Sequence, residues 1–302
     1  MKILMTGSNG FLGSHLKSHL ESLNNEVIGF SSSEIDLRDS NSLNIFKNNK
    51  FDRIYHLAAW TQAGDFSIHN QGNEWLFNQL INTNILNYWK LYNPEAKFIS
   101  FGTSCSYQEG SNLKEDDYFE GKPIDSLYVY GMTKRMLQIG VQAIHNQFNL
   151  NYLTLVPSTL YGNGYKIDDN KIPHFIFDLI KKIIKLKKYK TPAILWGDGS
   201  QIRELIHTKD FINYLVSLDL SSKNELFNIG AGEGHSIKHF TSIICDILDI
   251  KISDIKFDTN KFVGAKSKVL NINKLNSVID NYKSINLREG IESIVKEFYK
   301  KL

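Results

Sequence analysis

The stretch that decides the fold reads KILMTGSNGFLG at residues 2–13. A short apolar strand runs into a loop with glycines at 7, 10 and 13, and a helix is predicted at 14–23. These glycines allow a sharp turn, a close approach of main chain to a diphosphate, and tight packing of the helix on the sheet. Glycines also mark ordinary turns, but the strand before and the helix after favour a dinucleotide-binding loop.

Strands and helices continue to alternate after this loop. Further strands are predicted at 26–30, 53–57, 97–101, 151–156 and 226–230, with helices between them. This order predicts an α/β fold, a Rossmann-type doubly wound parallel sheet with a smaller α/β C-terminal substrate domain. We expect the dinucleotide-binding domain to comprise 1–162, with 200–232 returning to it, and the substrate domain to comprise 163–199 and 233–302.

The bulk composition is that of an ordinary globular protein. Thirty-five Lys and Arg against 32 Asp and Glu give a net charge of +3, which is too small to indicate a nucleic-acid partner. Cys105 and Cys245 are far apart, which disfavours a disulfide and fits a reducing compartment. The sequence has no signal peptide and no apolar run long enough to span a membrane. We therefore expect a cytoplasmic protein without a membrane partner or a metal site.

Hydroxyl groups cluster where the strand at 97–101 stops, in the segment GTSCSY at 102–107. Ligands of a parallel sheet bind at the carboxyl ends of its strands, so Thr103 and Cys105 are placed for chemistry. Hydroxyls also simply cap loops, and this segment alone does not decide between the two.

Tyr130 and Lys134 are four residues apart on a predicted helix and are therefore neighbours on one face. A nearby ammonium lowers the pKa of a phenol, which would let Tyr130 exchange a proton near neutral pH. The same spacing also occurs by chance in many helices.

The residues after two of the strands indicate how a dinucleotide would bind and which one is favoured. Ala58 and Ala59 follow the strand at 53–57, where small residues leave room for a flat ligand or for close packing. The strand at 26–30 is followed by Ser31, Ser32 and Ser33, whereas an acid there would bind a ribose 2′-hydroxyl and repel a phosphate. Serines can bind a 2′-phosphate, so NADP(H) is favoured over NAD(H), although no arginine accompanies them.

Taken together, these motifs resemble the extended short-chain dehydrogenase/reductases, the NAD-dependent epimerase/dehydratase family of nucleotide-sugar enzymes. The resemblance implies a catalytic Tyr130–Lys134 pair, Thr103 as its hydroxyl partner, and Cys105 beside them. The cofactor contacts that it implies are Gly7, Asn9, Gly10, Phe11, Leu12, Gly13, Ser31, Ser32, Asp36, Leu37, Leu57, Ala58, Ala59, Asn78, Tyr130, Lys134 and Pro157.

Within this family, GTSCSY at 102–107 and the segments LWGDG and RELIH between 195 and 207 are most similar to the nucleotide-4-keto-6-deoxysugar 4-reductases. The similarity implies reduction of the C4 ketone of a nucleotide-activated sugar, with GDP as the nucleotide. The substrate contacts that it implies are Thr103, Cys105, Thr159, Asn170, Trp196, Arg203 and Lys268. Arg203 and Lys268 would face the diphosphate, because a guanidinium fork can bond two oxygens at once.

Two positions depart from the members that also epimerise the sugar with a Cys and a His. Cys105 matches the Cys, but Asn170 stands near the expected His, with His174 just beyond, and Thr159 replaces an Asn. An amide does not exchange protons near neutral pH, so we predict weak or no C3/C5 epimerisation and a pocket-lining Cys105.

Other functions stay open at this point. A 4-epimerase or a full epimerase–reductase would keep the same motifs, while a 4,6-dehydratase is disfavoured because Ser104 and Cys105 replace its acidic pair. From another class, a non-catalytic cofactor-sensing protein is disfavoured because both Tyr130 and Lys134 are present. The resemblance also implies a homodimer through the helices at 75–92 and 128–149.

Overall fold

The structure is a computed structural model that describes residues 1–168, 172–261, 263–279 and 284–302. Its strands are β1 (Lys2–Thr6), β2 (Glu26–Phe30), β3 (Arg53–His56), β4 (Lys97–Phe101), β5 (Gly110–Leu113), β6 (Tyr152–Pro157), β7 (Thr159–Tyr161), β8 (Ile194–Trp196), β9 (Ile202–Arg203), β10 (Leu205–His207), β11 (Glu225–Ile229), β12 (His235–Ser236), β13 (Lys256–Asp258) and β14 (Ser267–Leu270). Its α-helices are α1 (Phe11–Ser22), α2 (Phe66–His69), α3 (Gln71–Tyr92), α4 (Tyr128–Phe148), α5 (Phe175–Tyr189), α6 (Thr208–Ser221), α7 (Ile237–Leu248), α8 (Asn273–Val278) and α9 (Leu287–Lys301).

Six strands form the central sheet in the order β11-β6-β4-β3-β1-β2, and every neighbouring pair is parallel. The chain starts in β1, moves outward to β2, and then returns to the other side of β1. The strand order therefore reverses between β1 and β3, and such a switch point opens a crevice at the carboxyl ends of the strands. The predicted α/β class with a Rossmann-type parallel sheet is confirmed.

Helices cover both faces of this sheet because its strands are apolar on both sides. Leu16 of α1 and Phe211 of α6 pack into the core on one face. Ile85 of α3 and Val141 of α4 pack into the core on the other. Parallel strands covered in this way read as nearly continuous apolar runs, which is why the sequence pattern predicted them.

A further core joins α5, α7 and α9 with the strand β8. Ile180, Phe240 and Ile294 are fully buried in it. Three smaller sheets accompany this part of the chain: β7 with β10, β8 with β13, and the mixed sheet β12-β9-β14-β5. The last of these places the residues of β9 and β14 side by side, with Arg203 opposite Lys268.

The predicted bounds of the strands at 26–30 and 97–101 coincide with β2 and β4. The first helix begins at Phe11, three residues before the predicted start, because Gly10 in extended conformation already serves as its N-cap. In the described part of the chain, we find no helix with the length and apolar character needed to cross a membrane.

Candidate active site

The glycine loop between β1 and α1 forms the first part of the site. Gly7 has φ +68°, a left-handed conformation that favours glycine. A Cβ on Gly13 would lie 2.2 Å from the Gly7 carbonyl oxygen, so only glycine lets α1 pack this closely. Gly10 provides no side-chain cap, and the first turn of α1 contains no acidic residue. The start of α1 therefore presents N–H groups suited to a phosphate.

The other predicted loop contacts differ in exposure. Asn9 is exposed, and Leu12 packs against the core that contains Leu16 and Phe211. The Phe11 ring lies against Tyr165 and Phe177, with centroid distances of 5.5 and 5.6 Å. The side chain of Phe11 thus joins the loop to the core of α5, which leaves its main-chain N–H for an anion.

A buried hydrogen-bonded chain supports the loop from the sheet. Thr6 Oγ1 lies 2.9 Å from His56 Nδ1 and accepts the Ala58 N–H at 3.1 Å, while His56 Nε2 lies 3.1 Å from Asn82 Oδ1. Burial lowers the pKa of His56 to about 4, so the ring is neutral near pH 7. Ala58 N would lie 3.0 Å from a Cβ on Gly7, so the segment after β3 borders the glycine loop directly.

Asn78 braces the chain that follows. Its side-chain oxygen accepts the Trp60 N–H at 2.9 Å, and its side-chain nitrogen donates to the carbonyls of Trp60 and Glu74 at 2.9 and 2.7 Å. These bonds occupy the amide group of Asn78. The structure gives this residue a bracing role, and the predicted cofactor contact would have to replace one of these bonds.

The loop after β2 contains an acidic residue, Glu34, that the prediction of a phosphate site at Ser31, Ser32 and Ser33 did not consider. The N–H and hydroxyl of Ser31 both donate to the Glu34 carboxylate, at 2.9 and 2.8 Å. Hydrogen bonds from Ser31 lower the pKa of this exposed carboxyl, so Glu34 is ionised at neutral pH. Ser32 is exposed beside it. A 2′-phosphate at these serines would therefore have a carboxylate as a neighbour.

The predicted adenine contacts lie a few residues further on. The Asp36 carboxylate accepts three hydrogen bonds from the Arg38 guanidinium, the shortest at 2.6 Å. The Arg38 guanidinium also lies 4.7 Å from the centre of the Phe77 ring. Leu37 is buried in the core between the sheet and α3. The Arg38 guanidinium thus holds the Asp36 carboxylate in the loop after β2.

The catalytic candidates meet at the carboxyl end of β4. Thr103 follows this strand, and its hydroxyl faces the Tyr130 hydroxyl at the start of α4. Burial raises the pKa of Tyr130 well above that of free tyrosine, and the charges of Cys105, Glu74 and Tyr118 add to this. Hydrogen bonding by Thr103 works against it. The net shift is opposite to the lowering that the spacing of Tyr130 and Lys134 predicts. Tyr130 is therefore protonated at neutral pH, the state in which it can act as an acid.

Lys134 is 5% exposed, and no hydrogen bond or ion pair links its ammonium to the described part of the chain. Burial lowers its pKa to about 8. An unpaired buried cation is costly, so this ammonium needs an acceptor that is not part of the described protein. Ribose hydroxyls of a nucleotide in the crevice are acceptors of this kind.

Close packing fixes the distance between α4 and the loop after β4. A Cβ on Gly131 would lie 2.6 Å from the Cys105 carbonyl oxygen, so glycine is required at this contact. Arg135 Nε donates to the Ser106 carbonyl at 2.9 Å, one turn further along α4. These contacts place Tyr130 beside Thr103.

Cys105 and Lys268 meet across 163 positions of sequence. The Lys268 ammonium donates to Cys105 Sγ at 3.0 Å. Burial works to raise the pKa of the Cys105 thiol, but the ammonium of Lys268, hydrogen bonding by Thr103 and the charge of Arg203 outweigh it, so the pKa is lowered. The Cys105 thiol is thus more acidic than that of free cysteine, which a pocket-lining role does not require.

His174 lies near the cleft formed by Cys105, Lys268 and Arg203. Crowding by protein and the positive charges of Lys268 and Arg203 lower its pKa to about 4, although water reaches the ring. The imidazole is therefore neutral near pH 7 and within electrostatic reach of the two cations that act on Cys105. Asn170, the residue near the expected His position, lies outside the described residues.

Arg203 is bound to main chain. Its guanidinium donates to the carbonyls of Ile202, Ala265 and Val263 at 2.9, 2.7 and 3.2 Å. It therefore holds the loop before β14.

Glu204 is a site residue that the sequence reasoning missed. Its carboxylate accepts the N–H groups of Gly232 and Leu270 at 2.7 and 2.8 Å, and burial raises its pKa to about 7. It thereby joins β9, the end of β11 and β14, the strand of Lys268. Its place in the RELIH segment directly after Arg203 is the signal that could have found it.

The remaining predicted contacts lie at the ends of other strands. Pro157 ends β6 beside the sheet edge, and Thr159 begins β7, where its N–H donates to the Glu204 carbonyl at 3.2 Å. Trp196 is partly exposed at the end of β8, with the Lys182 ammonium 6.0 Å from its ring. The described residues contain no cluster of three or more His, Cys, Asp or Glu side chains that could hold a metal.

Comparison with known proteins identifies the family of this chain. The profile of the NAD dependent epimerase/dehydratase family matches residues 3–230. The chain belongs to this family. GDP-L-colitose synthase from Yersinia pseudotuberculosis is 29% identical over 306 residues, covering 99% of this chain and 98% of that protein.

Two solved structures share the fold. A GDP-L-fucose synthetase from Naegleria fowleri bound to NADP superposes with a TM-score of 0.84 at 21% identity, covering 99% of this chain and 94% of that one. A UDP-glucose 4-epimerase from Thermotoga maritima superposes with a TM-score of 0.87 at 20% identity, covering 100% and 99%. The fold alone therefore does not separate reduction from epimerisation.

Proposed function

We propose that this family member reduces the C4 ketone of a nucleotide-activated 4-keto-6-deoxy or related sugar, with NADPH as the reductant. The observation that carries the proposal is the buried, unpartnered Lys134 ammonium one helical turn from the Tyr130–Thr103 pair. The relative at 29% identity is a GDP-sugar synthase, which supports GDP as the nucleotide.

The residues present fit a dinucleotide. The open start of α1 suits its diphosphate, and Lys134 suits its ribose. A bound reduced nicotinamide would supply the hydride for C4. Tyr130 donates its proton to the C4 oxygen as negative charge develops there, and Thr103 hydrogen-bonds the same oxygen. Lys134 orients the ribose and favours proton loss from Tyr130 by its charge.

On the substrate side, we propose that Arg203 and Lys268 bind the diphosphate and that Thr159 and Trp196 border the sugar and base. The two candidates for a second proton carrier are weak, because the side chain of Asn170 is an amide and the pKa of His174 is lowered to about 4. We therefore propose weak or no C3/C5 epimerisation. A role in polysaccharide biosynthesis follows if the product is a sugar donor.

NADP(H) is supported by the relative solved with NADP and by the serines after β2. Glu34 beside Ser31 acts against a 2′-phosphate, and Arg38, further along the chain, is already paired with Asp36. A comparison of kcat/KM for NADPH and NADH tests the preference, and a clear preference for NADH would contradict it.

The deciding experiment supplies a GDP-4-keto-6-deoxy sugar and NADPH in deuterium oxide. We expect one NADPH consumed per sugar reduced, with little deuterium at the carbons beside C4. A 4-epimerase would convert its substrate without net consumption of NADPH, and a cofactor-sensing protein would bind NADPH without turnover. Deuterium at those carbons that is lost in a Cys105→Ser variant would show a full epimerase–reductase instead.

We also propose three features at the level of the molecule. The separate core of α5, α7 and α9 supports domains at 1–162 with 200–232, and at 163–199 with 233–302. Exposed Leu76, Leu80 and Ile139 on α3 and α4 support a homodimer through these helices. Both cysteines are free thiols, which suits the cytoplasm.

A further inference from the structure

The cleft contains a contact that ketone reduction does not require. Lys268 donates to Cys105 Sγ at 3.0 Å. Among the residues that the structure describes, Lys268 has no carboxylate within ion-pair distance. The thiol is therefore the acidic group that this ammonium contacts.

The surroundings of the pair are mostly cationic or neutral. Arg203 lies opposite Lys268 in the sheet and donates to carbonyls, so it adds a second positive charge beside the thiol. The Glu109 carboxylate acts on Arg203 and offsets part of this charge. Tyr118 and Tyr130 also lie within electrostatic reach of Cys105, and burial raises the pKa of both, so they are protonated. The nearby His174 ring is neutral. An anion at Cys105 is thus the charge that this cluster favours.

We propose that Cys105 and Lys268 form a thiolate–ammonium pair, and that a diphosphate entering the cleft competes with the thiolate for Lys268. This inference rests on the proposed function for the identity of the diphosphate. Phosphate oxygens are stronger acceptors for an ammonium than sulfur and carry more charge. When Lys268 turns to the diphosphate, the thiolate loses its counterion inside a buried site and takes up a proton.

This exchange has a consequence for catalysis. A thiolate beside Thr103 would repel the negative charge that develops on the C4 oxygen, whereas a neutral thiol would not. A neutral thiol is also a poor base, which agrees with weak epimerisation. Substrate binding would thus convert Cys105 from an anion in the empty cleft to a neutral side chain in the occupied one.

The test follows the ultraviolet absorbance of the thiolate as pH is raised, over the range below tyrosine ionisation. The protein carries Cys245→Ser, and the spectrum of the Cys105→Ser, Cys245→Ser protein is subtracted. We expect a Cys105 midpoint below the value of free cysteine, about 8.5. Lys268→Met should raise this midpoint by about one pH unit or more. Lys266→Met, an exposed lysine two residues earlier, should leave it unchanged.

The second part adds inorganic diphosphate, with sodium chloride at equal ionic strength as the control. We expect diphosphate to raise the midpoint in the protein that keeps Lys268 and to have no effect in Lys268→Met. The rise expected in the protein that keeps Lys268 cannot come from a folding defect of the Lys268→Met variant. A midpoint at or above that of free cysteine, or one that Lys268→Met does not move, would overturn the pair.

A midpoint that diphosphate leaves unchanged would overturn the competition. Neither titration uses sugar or NADPH turnover. Failure of the proposed reductase activity would therefore leave both results interpretable.

Discussion

We propose Tyr130 as the acid because its environment keeps it protonated. Burial raises its pKa, and the hydroxyl of Thr103 is positioned beside it. Tyr130→Phe removes the transferable proton and keeps the ring. We expect loss of most turnover with nearly unchanged NADPH affinity, measured by NADPH oxidation and by fluorescence titration. A variant that kept most of the activity would rule out Tyr130 as the acid.

Arg203 is the residue that we expect to contribute most directly to affinity for the nucleotide sugar. Its guanidinium holds the loop before β14 and lies within electrostatic reach of Cys105. Arg203→Ala should raise the KM for the nucleotide sugar by about tenfold or more, with a smaller effect on NADPH affinity. Arg288→Ala, on the surface beside Asp246, is the matched control and should change neither value. An unchanged KM in Arg203→Ala would remove this residue from the site.

At the scale of elements, the approach of α4 to the loop after β4 decides whether the catalytic groups meet. A Cβ on Gly131 would lie 2.6 Å from the Cys105 carbonyl oxygen, which is main chain and cannot turn aside. Gly131→Ala should therefore displace Tyr130 from Thr103.

We expect kcat to fall by about tenfold or more in Gly131→Ala, because small displacements of catalytic groups are costly. Gly72→Ala on α3 is the control, since a Cβ there meets nothing within 4 Å. Steady-state kinetics and thermal unfolding of both variants separate a catalytic effect from a loss of folded protein. Equal kcat values in the two variants would contradict the close-packing argument.

At the scale of the whole molecule, α3 and α4 carry exposed apolar side chains. Leu80 and Ile139 are each 45% exposed. A charge placed in a homodimer interface would be buried without a partner, so Leu80→Glu should yield a monomer. Leu220→Glu, at a 73% exposed position on α6, is the control and should not change the mass. Light scattering measures both, and a monomeric parent protein would refute the homodimer.

The local features of this chain were readable from its sequence. The glycines at 7, 10 and 13, the strand at 97–101 and the four-residue spacing of Tyr130 and Lys134 each depend on neighbours in the chain, where periodicity and sterics act directly. The parallel α/β fold followed because alternating apolar strands and helices allow few other arrangements.

Contacts between distant segments were decided only by the tertiary structure. Lys268 reaches Cys105 across 163 positions, and Glu204 joins Gly232 and Leu270, although no sequence period links these residues. The pKa of Tyr130 was misjudged for the same reason, because burial outweighs the charge of the neighbour that the spacing revealed. Burial and long-range charge depend on how the elements pack, and a linear pattern does not specify that packing.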